Sequence, residues 1–396
     1  MKNPLNKRII KELKSEFGKY LVIFIFMVGT IGFISGFLIA DNSMLKAYND
    51  SFEKYNIENG NFELSDEADE NLNEITQSYG VHIYNNFYIE KTVEVNNNSE
   101  FNSLLRIFSN RTKVNKVCLM SGKMPENSDE IAIDRMYGEN NNINIGDIIN
   151  VGNENIKVTG FVALSDYSAL FSNNADTMFD AMKFGVAIMT EEGFVNFGKD
   201  LIHYSYSWKY DIEPKNDSEE KEKSDALLKL LGENVKLINY IPRYSNQAIQ
   251  FTGDDMGSDR SMIITLLYIL IAIMAFVFAV TTNNTITKEA SVIGTLRSSG
   301  YTRRELLIHY ISMPVIVTFF AAIVGNILGY TIFKNIVAKL YYGSYSLPVY
   351  KTLWNGDAFI LTTLVPIIIM IIINVFIIYA KLKISPLKFL RHDLNK

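Results

Sequence analysis

The chain has a single cysteine, Cys118, among 396 residues, so no disulfide can form within it. Any large domain outside the cell must therefore be stabilised by its own hydrophobic core. Glycine and proline, at 23 and 8 residues, are too few for a collagen-like chain. An aromatic content of 12% excludes a disordered one.

Several catalytic motifs are also missing. The sequence contains no phosphate-binding Gly-x-x-x-x-Gly-Lys-Ser/Thr loop, no His-Glu-x-x-His, no paired-cysteine metal site and no Gly-x-Ser-x-Gly turn. The four histidines are widely separated along the chain. We therefore expect no enzymatic activity, no metal site and no ATP hydrolysis by this chain itself.

Charged residues are absent from four long apolar runs, which lie at 20–40, 261–285, 306–333 and 358–380. A charge at mid-helix would cost about 2.5–3.5 kcal/mol on insertion, and the first run spans about 32 Å, enough to cross a hydrocarbon core. Four transmembrane helices are therefore predicted. The first run could instead be a cleaved signal peptide, but it exceeds the usual apolar length of about 7–15 residues, and Leu38 and Ala40 make a poor cleavage site.

Flanking charges predict the orientation. Segments 1–19, 286–305 and 381–396 together carry 15 basic and 5 acidic residues, whereas residues 41–260 carry 20 basic and 37 acidic residues. Short loops rich in Lys and Arg stay in the cytoplasm. We therefore expect a multi-pass protein of the cell membrane with both termini and the 286–305 loop inside and the acidic segment outside.

The predicted fold class is an integral membrane α-helical protein with four transmembrane helices in a one-plus-three arrangement and an inserted extracytoplasmic α+β domain. Between and around the four helices, its expected parts are a cytoplasmic amphipathic N-terminal helix at 1–19, the extracytoplasmic domain at 41–260, a cytoplasmic loop at 286–305, an outer loop at 334–357 and a cytoplasmic tail at 381–396. In the first of these, Leu5, Ile9 and Leu13 recur among basic residues. This pattern fits either a helix lying on the inner leaflet or a positive flank that fixes topology.

Alternating apolar residues predict strands in the outer segment. Bounded by Gly, Asn and Asp, they indicate strands at 116–120, 130–134, 148–151 and 156–162. Helices are predicted at 66–79 and 226–231. The charged residues 213–225 are predicted to form a solvated connection.

Two membrane helices carry small residues four apart, Gly32 and Gly36 in the first and Gly325 and Gly329 in the third. This spacing lets helix backbones approach closely. It predicts helix packing, either within the chain or across a dimer. Asn326, a polar group at membrane depth, is expected to form an interhelical hydrogen bond.

The 286–305 loop has the features of a short helix between two bends. We expect breaks near Gly294 and Gly300, a short helix around Leu296, and a new helix whose first turn is closed by a capping box of Thr302 and Glu305. Such a helix would suit docking of a partner, although any loop between two spans also needs caps and basic residues.

The loop contains the pattern Ile-Gly-x-Leu-Arg-x-x-Gly at 293–300, and the tail contains Ile-Ser-Pro-Leu at 384–387. Further patterns are Gly-x-x-x-Gly-Tyr at 325–330, Ser-Gly-x-Met-Pro at 121–125, Asp-Glu-Ile-Ala-Ile at 129–133 and Ile-Gly-Asp at 145–147. With the one-plus-three topology, they resemble the FtsX-like ABC transporter permeases, the MacB-like or type VII class. Many members have Arg-Glu before the Ile-Gly, where this chain has Ser291 and Val292.

The resemblance implies a permease subunit without its own ATPase. It implies a cytoplasmic ABC ATPase as partner, a second permease chain in a homodimer or heterodimer, and a lipid bilayer; ATP would act through the ATPase, no cofactor would bind this chain directly, and no nucleic acid is expected. ATP-driven closure would move the outer domain, for export or mechanotransmission.

It also implies that the loop couples to the ATPase. Ile293 and Leu296 would fill the ATPase groove, the glycines would set the backbone shape, and the arginines would pair with acidic groups or lipid phosphates. The coupling residues expected on this basis are Glu289, Ile293, Gly294, Leu296, Arg297, Gly300, Arg303 and Arg304.

Two other functions fit the same sequence. One is a non-transport regulator or sensor that activates a cell-wall hydrolase or responds to antimicrobial peptides. The other is a membrane-anchored binding protein that needs no ATPase, which recovery of no ATPase from membranes would favour.

Overall fold

The computed structural model describes residues 5–94, 102–197, 202–391 and 393. The chain divides into two compact units. The first, called the membrane unit, comprises Met1–Asn42, Ser258–Ala338 and Thr352–Lys396; the second, called the β unit, comprises Ser43–Gly257 and Lys339–Lys351. Parts of the predicted N-terminal helix (1–4) and of the predicted tail (392 and 394–396) lie outside the described residues.

Four helices in the described chain are long and apolar enough to cross a membrane. Numbered along the chain, they are α2 (Phe17–Lys54), α7 (Gln247–Lys288), α9 (Arg303–Leu328), which continues through a π-helical turn (Gly329–Phe333) into α10 (Lys334–Ser344), and α11 (Gly356–Leu382). Shorter helices are α1 (Leu5–Ser15), α8 (Ala290–Ser298) and α12 (Pro386–Leu390).

These helices extend past the apolar runs. Residues 334–344, predicted as part of an outer loop, are helical, and helix α2 runs on to Lys54 and α7 starts at Gln247, inside the segment predicted as 41–260. For α2 the reason is plain in the sequence, because no glycine or proline occurs between Gly36 and Gly60 to interrupt the helix. Absence of charge marks where a helix can cross lipid, and it does not mark where the helix ends.

Helix α1 packs onto the membrane unit itself. Leu5 is buried, and Ile9 and Leu13 contact the core formed by α2, α7, α9 and α11. The apolar side of α1 therefore faces protein, which does not favour the first of the two alternatives, a helix lying on the inner leaflet.

Helix α2 crosses α9 and the π-helical turn at close range. A Cβ atom placed on Gly32 would lie 3.2 Å from the carbonyl oxygen of Gly325, and one on Gly329 would lie 3.1 Å from the carbonyl oxygen of Gly32. A Cβ on Gly36 would approach the backbone nitrogen of Lys334 to 2.8 Å. The two glycine patterns thus face each other within one chain, and a larger residue has no room there.

Asn326 joins three helices beside this crossing. Its Oδ1 accepts hydrogen bonds from Ser35 of α2 (2.8 Å) and Thr362 of α11 (2.9 Å), and its Nδ2 donates to Thr363 (3.1 Å). All four residues are buried. The interhelical hydrogen bond expected of Asn326 is confirmed.

The β unit contains two sheets. Strands β1 (Gly60–Leu64), β2 (Val81–Asn85), β10 (Tyr204–Tyr210) and β11 (Leu237–Pro242) form an antiparallel sheet in the order β11-β1-β10-β2. The other strands are β3 (Tyr88–Glu94), β4 (Asn102–Ser109), β5 (Cys118–Gly122), β6 (Glu130–Asp134), β7 (Ile148–Val151), β8 (Glu154–Ala163) and β9 (Phe184–Met189). They form a mixed sheet in the order β5-β8-β6-β9-β4-β3-β7, and β7 also pairs with β8, which closes this sheet on itself.

Each sheet has its own core. The larger sheet buries aliphatic side chains such as Ile107, Ile131 and Val158. The smaller one buries Phe62 and Trp208 against helix α6 (Asp217–Asn234). The remaining helices of the β unit are α3 (Glu70–Ser78), α4 (Arg135–Asn140) and α5 (Glu191–Asn196).

Strands predicted from alternation at 116–120, 130–134, 148–151 and 156–162 correspond to β5, β6, β7 and β8 and are confirmed. The connection predicted at 213–225 is wrong from Asp217 onward, because α6 begins there. Asn216 caps this helix by accepting the N–H of Glu219. Acidic residues in its first turn interact favourably with the positive end of the helix dipole and stabilise the helix.

Candidate functional site

Helix α8 stands between the second and third candidate spans, and one of its faces is buried. Ala290 and Ile293 are fully buried in a cluster with Leu306, Tyr310 and Phe389. Ile293 was predicted to fill a groove of the ATPase. That prediction is wrong, because its side chain is buried in the core of its own chain. Leu296 is half-buried against the same cluster.

Gly294 lies inside α8, and the break predicted there is wrong. A Cβ on Gly294 would approach Leu390 to 2.7 Å at its Cγ and 3.1 Å at its backbone nitrogen. The glycine therefore allows α12 to pack closely on α8, and it does not bend the backbone. Gly300, with φ +99°, is the residue that turns the chain. The capping box of Thr302 and Glu305 at the start of α9 is confirmed.

Glu289 is held by the chain itself. One carboxylate oxygen lies 2.7 Å from a guanidinium nitrogen of Arg8, and the other accepts a hydrogen bond from the Tyr310 hydroxyl at 2.7 Å. Arg8 also pairs with Glu12 at 3.0 Å, and Glu12 lies 3.2 Å from Nε2 of His309. This network ties α1 to the junction of α7 and α8 and to α9. Glu289 was expected to contact a partner; its carboxylate is bound within the chain and its side chain is 23% exposed, so that expectation stays a prediction.

Arg297 fixes the other end of α8. Its Nη1 donates to the carbonyl oxygens of Ile384 (2.5 Å) and Leu382 (3.3 Å), just after α11. Partial burial and the nearby charge of Arg303 lower the pKa of Arg297. The carbonyl groups left unpaired at the end of α11 thus receive a cationic donor. Arg297 therefore joins α8 to the segment after α11, and its contact with a partner stays a prediction.

The exposed side of α8 and of its neighbours is the part available to a partner. Val292 of α8 is 43% exposed, and Leu387 and Leu390 of α12 are 56% and 43% exposed. Arg303 and Arg304 at the start of α9 are also exposed. We call these five residues the α8–α12 surface. It consists of three apolar side chains and two arginines, and the opposite faces of α8 and α12 pack into a core of the chain itself.

Sequence reasoning found only part of this surface. Of its five residues, Arg303 and Arg304 were predicted to couple, whereas Val292, Leu387 and Leu390 were missed. A signal for α12 was present, because Ser385 followed by Pro386 is typical of a helix start, and Ser385 does accept the N–H of Lys388. No pattern indicated that α12 would pack on α8.

Four candidate spans, three of them following a large second unit in the chain, define a membrane protein. Residues 264–386 match the model of the FtsX-like permease C-terminal family. The chain therefore carries the C-terminal domain of the FtsX-like permeases, which confirms the resemblance seen in the sequence. Permeases of this family are generally parts of ABC transporters with a partner ATPase. No curated protein matches the chain.

Proposed function

We propose that this chain is the permease subunit of an ABC transporter of the MacB-like class in a cell membrane. A separate cytoplasmic ATPase binds and hydrolyses ATP, and the chain converts that hydrolysis into movement of the β unit outside the membrane, for export or mechanotransmission. Both termini lie in the cytoplasm. A second permease chain, identical or related, completes the complex.

The α8–α12 surface is the observation that carries this proposal. Exposed apolar side chains rimmed by charged residues are typical of protein interaction sites. Here Val292, Arg303 and Arg304 belong to the loop that the family uses, and Leu387 and Leu390 belong to the tail helix that packs on it. The basic rim of Arg303 and Arg304 suits an ATPase surface with acidic groups.

The contacts behind this surface support a mechanical role. Ile293, Arg297 and Glu289 anchor α8 to α1, α9 and the end of α11. A force on α8 would therefore act on the helices of the membrane unit and would not merely bend a loop. Helices α2 and α7 each supply residues to both units, so their displacement would be carried into the β unit.

Co-purification tests the proposal. The chain is expressed with candidate stand-alone ABC ATPases from its source genome, and recovery of an ATPase and ATP turnover are measured in lipid nanodiscs. We expect Val292→Asp and Arg303→Glu to weaken ATPase binding at least about tenfold, because both side chains contribute to the contact but not to the fold. Both variants should still insert into the membrane.

Two control variants match these changes. Val349→Asp alters a valine that is 64% exposed, and Lys351→Glu reverses an exposed charge, both outside the α8–α12 surface. Full ATPase binding is expected for both. The proposal is wrong if the wild-type chain recovers no ATPase, or if all four variants retain it equally.

A further inference from the structure

The β unit contains a polar cavity that the proposed transport mechanism does not use. Its volume is about 170 Å³, and its lining comes from both sheets and from the segment that leads into α7. Six asparagines contribute to the wall, together with the carboxylates of Glu58 and Glu63 and aromatic rings such as Tyr88 and Phe108. So many amide side chains around one space require an explanation.

The charged groups around the cavity are already partnered within the protein. The ionic contacts are Arg106 with Glu90 (2.6 Å), Glu63 with His203 (2.7 Å) and Asp166 with Arg111 (2.6 Å). Arg106 also donates to the Tyr167 hydroxyl and to the carbonyl oxygen of Ser172. No guanidinium around the cavity is therefore left without a partner among the described residues, and an anionic ligand would face Glu58 and Glu63.

Four of the asparagines offer unused donors instead. The Oδ1 atoms of Asn173, Asn239 and Asn246 accept backbone N–H groups at 2.9–3.0 Å. Oδ1 of Asn86 accepts from Arg111 at 3.2 Å. These bonds fix which end of each amide is the nitrogen, and none of the four nitrogens donates a hydrogen bond to another described residue. Asn86 and Asn246 are only 7% exposed and both line the cavity, so their amide nitrogens can donate to a ligand bound there.

Glu58 defines what else the ligand must offer. Glu58 is buried and accepts from Asn61 and Asn115. Burial and the charge of Asp166 raise the pKa of this carboxyl. A ligand must accept from neutral amides and donate to or tolerate carboxyl oxygens. Hydroxyl groups both donate and accept, so a polyhydroxylated neutral molecule meets both requirements.

The size of the cavity fits the same class. One water occupies about 10–15 Å³ of such a cavity, so the space holds about a dozen non-hydrogen atoms. We propose that the cavity binds a neutral monosaccharide, or the terminal sugar of a glycan, through the amide donors of Asn86, Asn173, Asn239 and Asn246. The cavity shares no residue with the α8–α12 surface, so sugar binding can be tested independently of ATPase binding.

Saturation-transfer NMR on the full chain tests this binding. The protein is kept in a detergent without a sugar headgroup, and the probes are glucose and N-acetylglucosamine, with sulfate (measured by competition against the sugar) and glycine as comparisons. We expect saturation transfer to at least one sugar at millimolar concentration and no effect of sulfate or glycine. Absence of transfer to either sugar, or displacement of the sugar by sulfate or glycine, would overturn the proposal.

Asn→Asp variants locate the site. Asn246→Asp and Asn239→Asp each keep an oxygen that can accept the backbone N–H and remove the free donor. Each should weaken sugar binding about tenfold. Asn239 is exposed, so its substitution leaves the fold intact even if that of Asn246 does not. Asn216→Asp is the control, because Asn216 also accepts a backbone N–H (3.0 Å) but lies outside the cavity. Equal binding by all three variants would contradict the site.

Discussion

The membrane unit and the β unit bury polar groups in different ways. Around Asn326, the membrane unit pairs neutral side chains across helices, whereas the β unit buries the ion pair of Arg111 and Asp166, whose side chains are 4% and 3% exposed. Backbone groups of a helix are already bonded to one another, so a charge in a helix bundle finds few partners. Asp41, buried in the membrane unit, illustrates this, since neither carboxylate oxygen has a hydrogen-bond partner among the described residues.

The units also reach close packing by different means. The membrane unit does so by omitting side chains at Gly32 and Gly325, and the β unit by interlocking large ones such as Ile131 and Trp208. The hydrophobic effect drives the second kind of packing. In lipid the hydrophobic effect does not drive helices together, and close van der Waals contact between helix backbones stabilises their association instead. Substitutions in the two units should therefore fail for different reasons.

Gly325→Leu should have the largest effect. Even a Cβ at this position would lie 2.8 Å from Cγ2 of Ile31 and 3.2 Å from the backbone nitrogen of Gly32. Helix α2 must then move away from α9, and we expect little folded protein on size-exclusion chromatography in detergent. Gly29→Leu is the matched control, because Gly29 lies in α2 with nothing within 4 Å of its Cβ position. Normal behaviour of Gly325→Leu would show that the crossing is not required.

Arg111→Met should have the next largest effect, in the β unit. It leaves Asp166 buried without its cation, which costs about 3–5 kcal/mol of unfolding free energy. Lys123→Met, which removes an exposed partner of Glu126, should cost far less, because water screens an exposed ion pair. Unfolding of the β unit can be followed by the fluorescence of Trp208 in a Trp354→Phe background, because these are the two tryptophans of the chain. Equal losses for both variants would mean that burial does not distinguish the two pairs.

Sequence patterns predicted local features well and contacts between distant segments poorly. Strand β6 and the capping box at Thr302 follow from neighbouring residues, and both are confirmed. The contact of Gly294 with Leu390 depends on how α12 returns to α8, which no local pattern encodes. For the same reason the sequence indicated Ile293 as a docking residue, although an apolar residue on a short helix serves a core equally well.

Asp134 provides the smallest and most specific test of buried charge in the β unit. Its carboxylate accepts the N–H groups of Met136 (2.8 Å) and Tyr137 (3.1 Å) and the hydroxyl of Ser346. Burial outweighs these bonds and raises the pKa of Asp134 to about 6, from an ordinary 3.8. The folded state therefore holds the proton more tightly than the unfolded state does, so this group stabilises the fold at low pH.

That stabilisation should be lost as the pH rises from about 4 through about 6, by about 2–3 kcal/mol in all. Asp134→Asn, which cannot ionise, should remove this part of the pH dependence of Trp208-detected unfolding. Asp147→Asn is the matched control, because Asp147 is exposed and also accepts a backbone N–H, from Asn144 at 2.7 Å, so the wild-type profile should persist. If Asp134→Asn also keeps the wild-type profile, the pKa of Asp134 in the folded protein equals its unfolded value, and the contrast with the membrane unit becomes sharper, since three donors would then suffice to hold a buried charge above about pH 4.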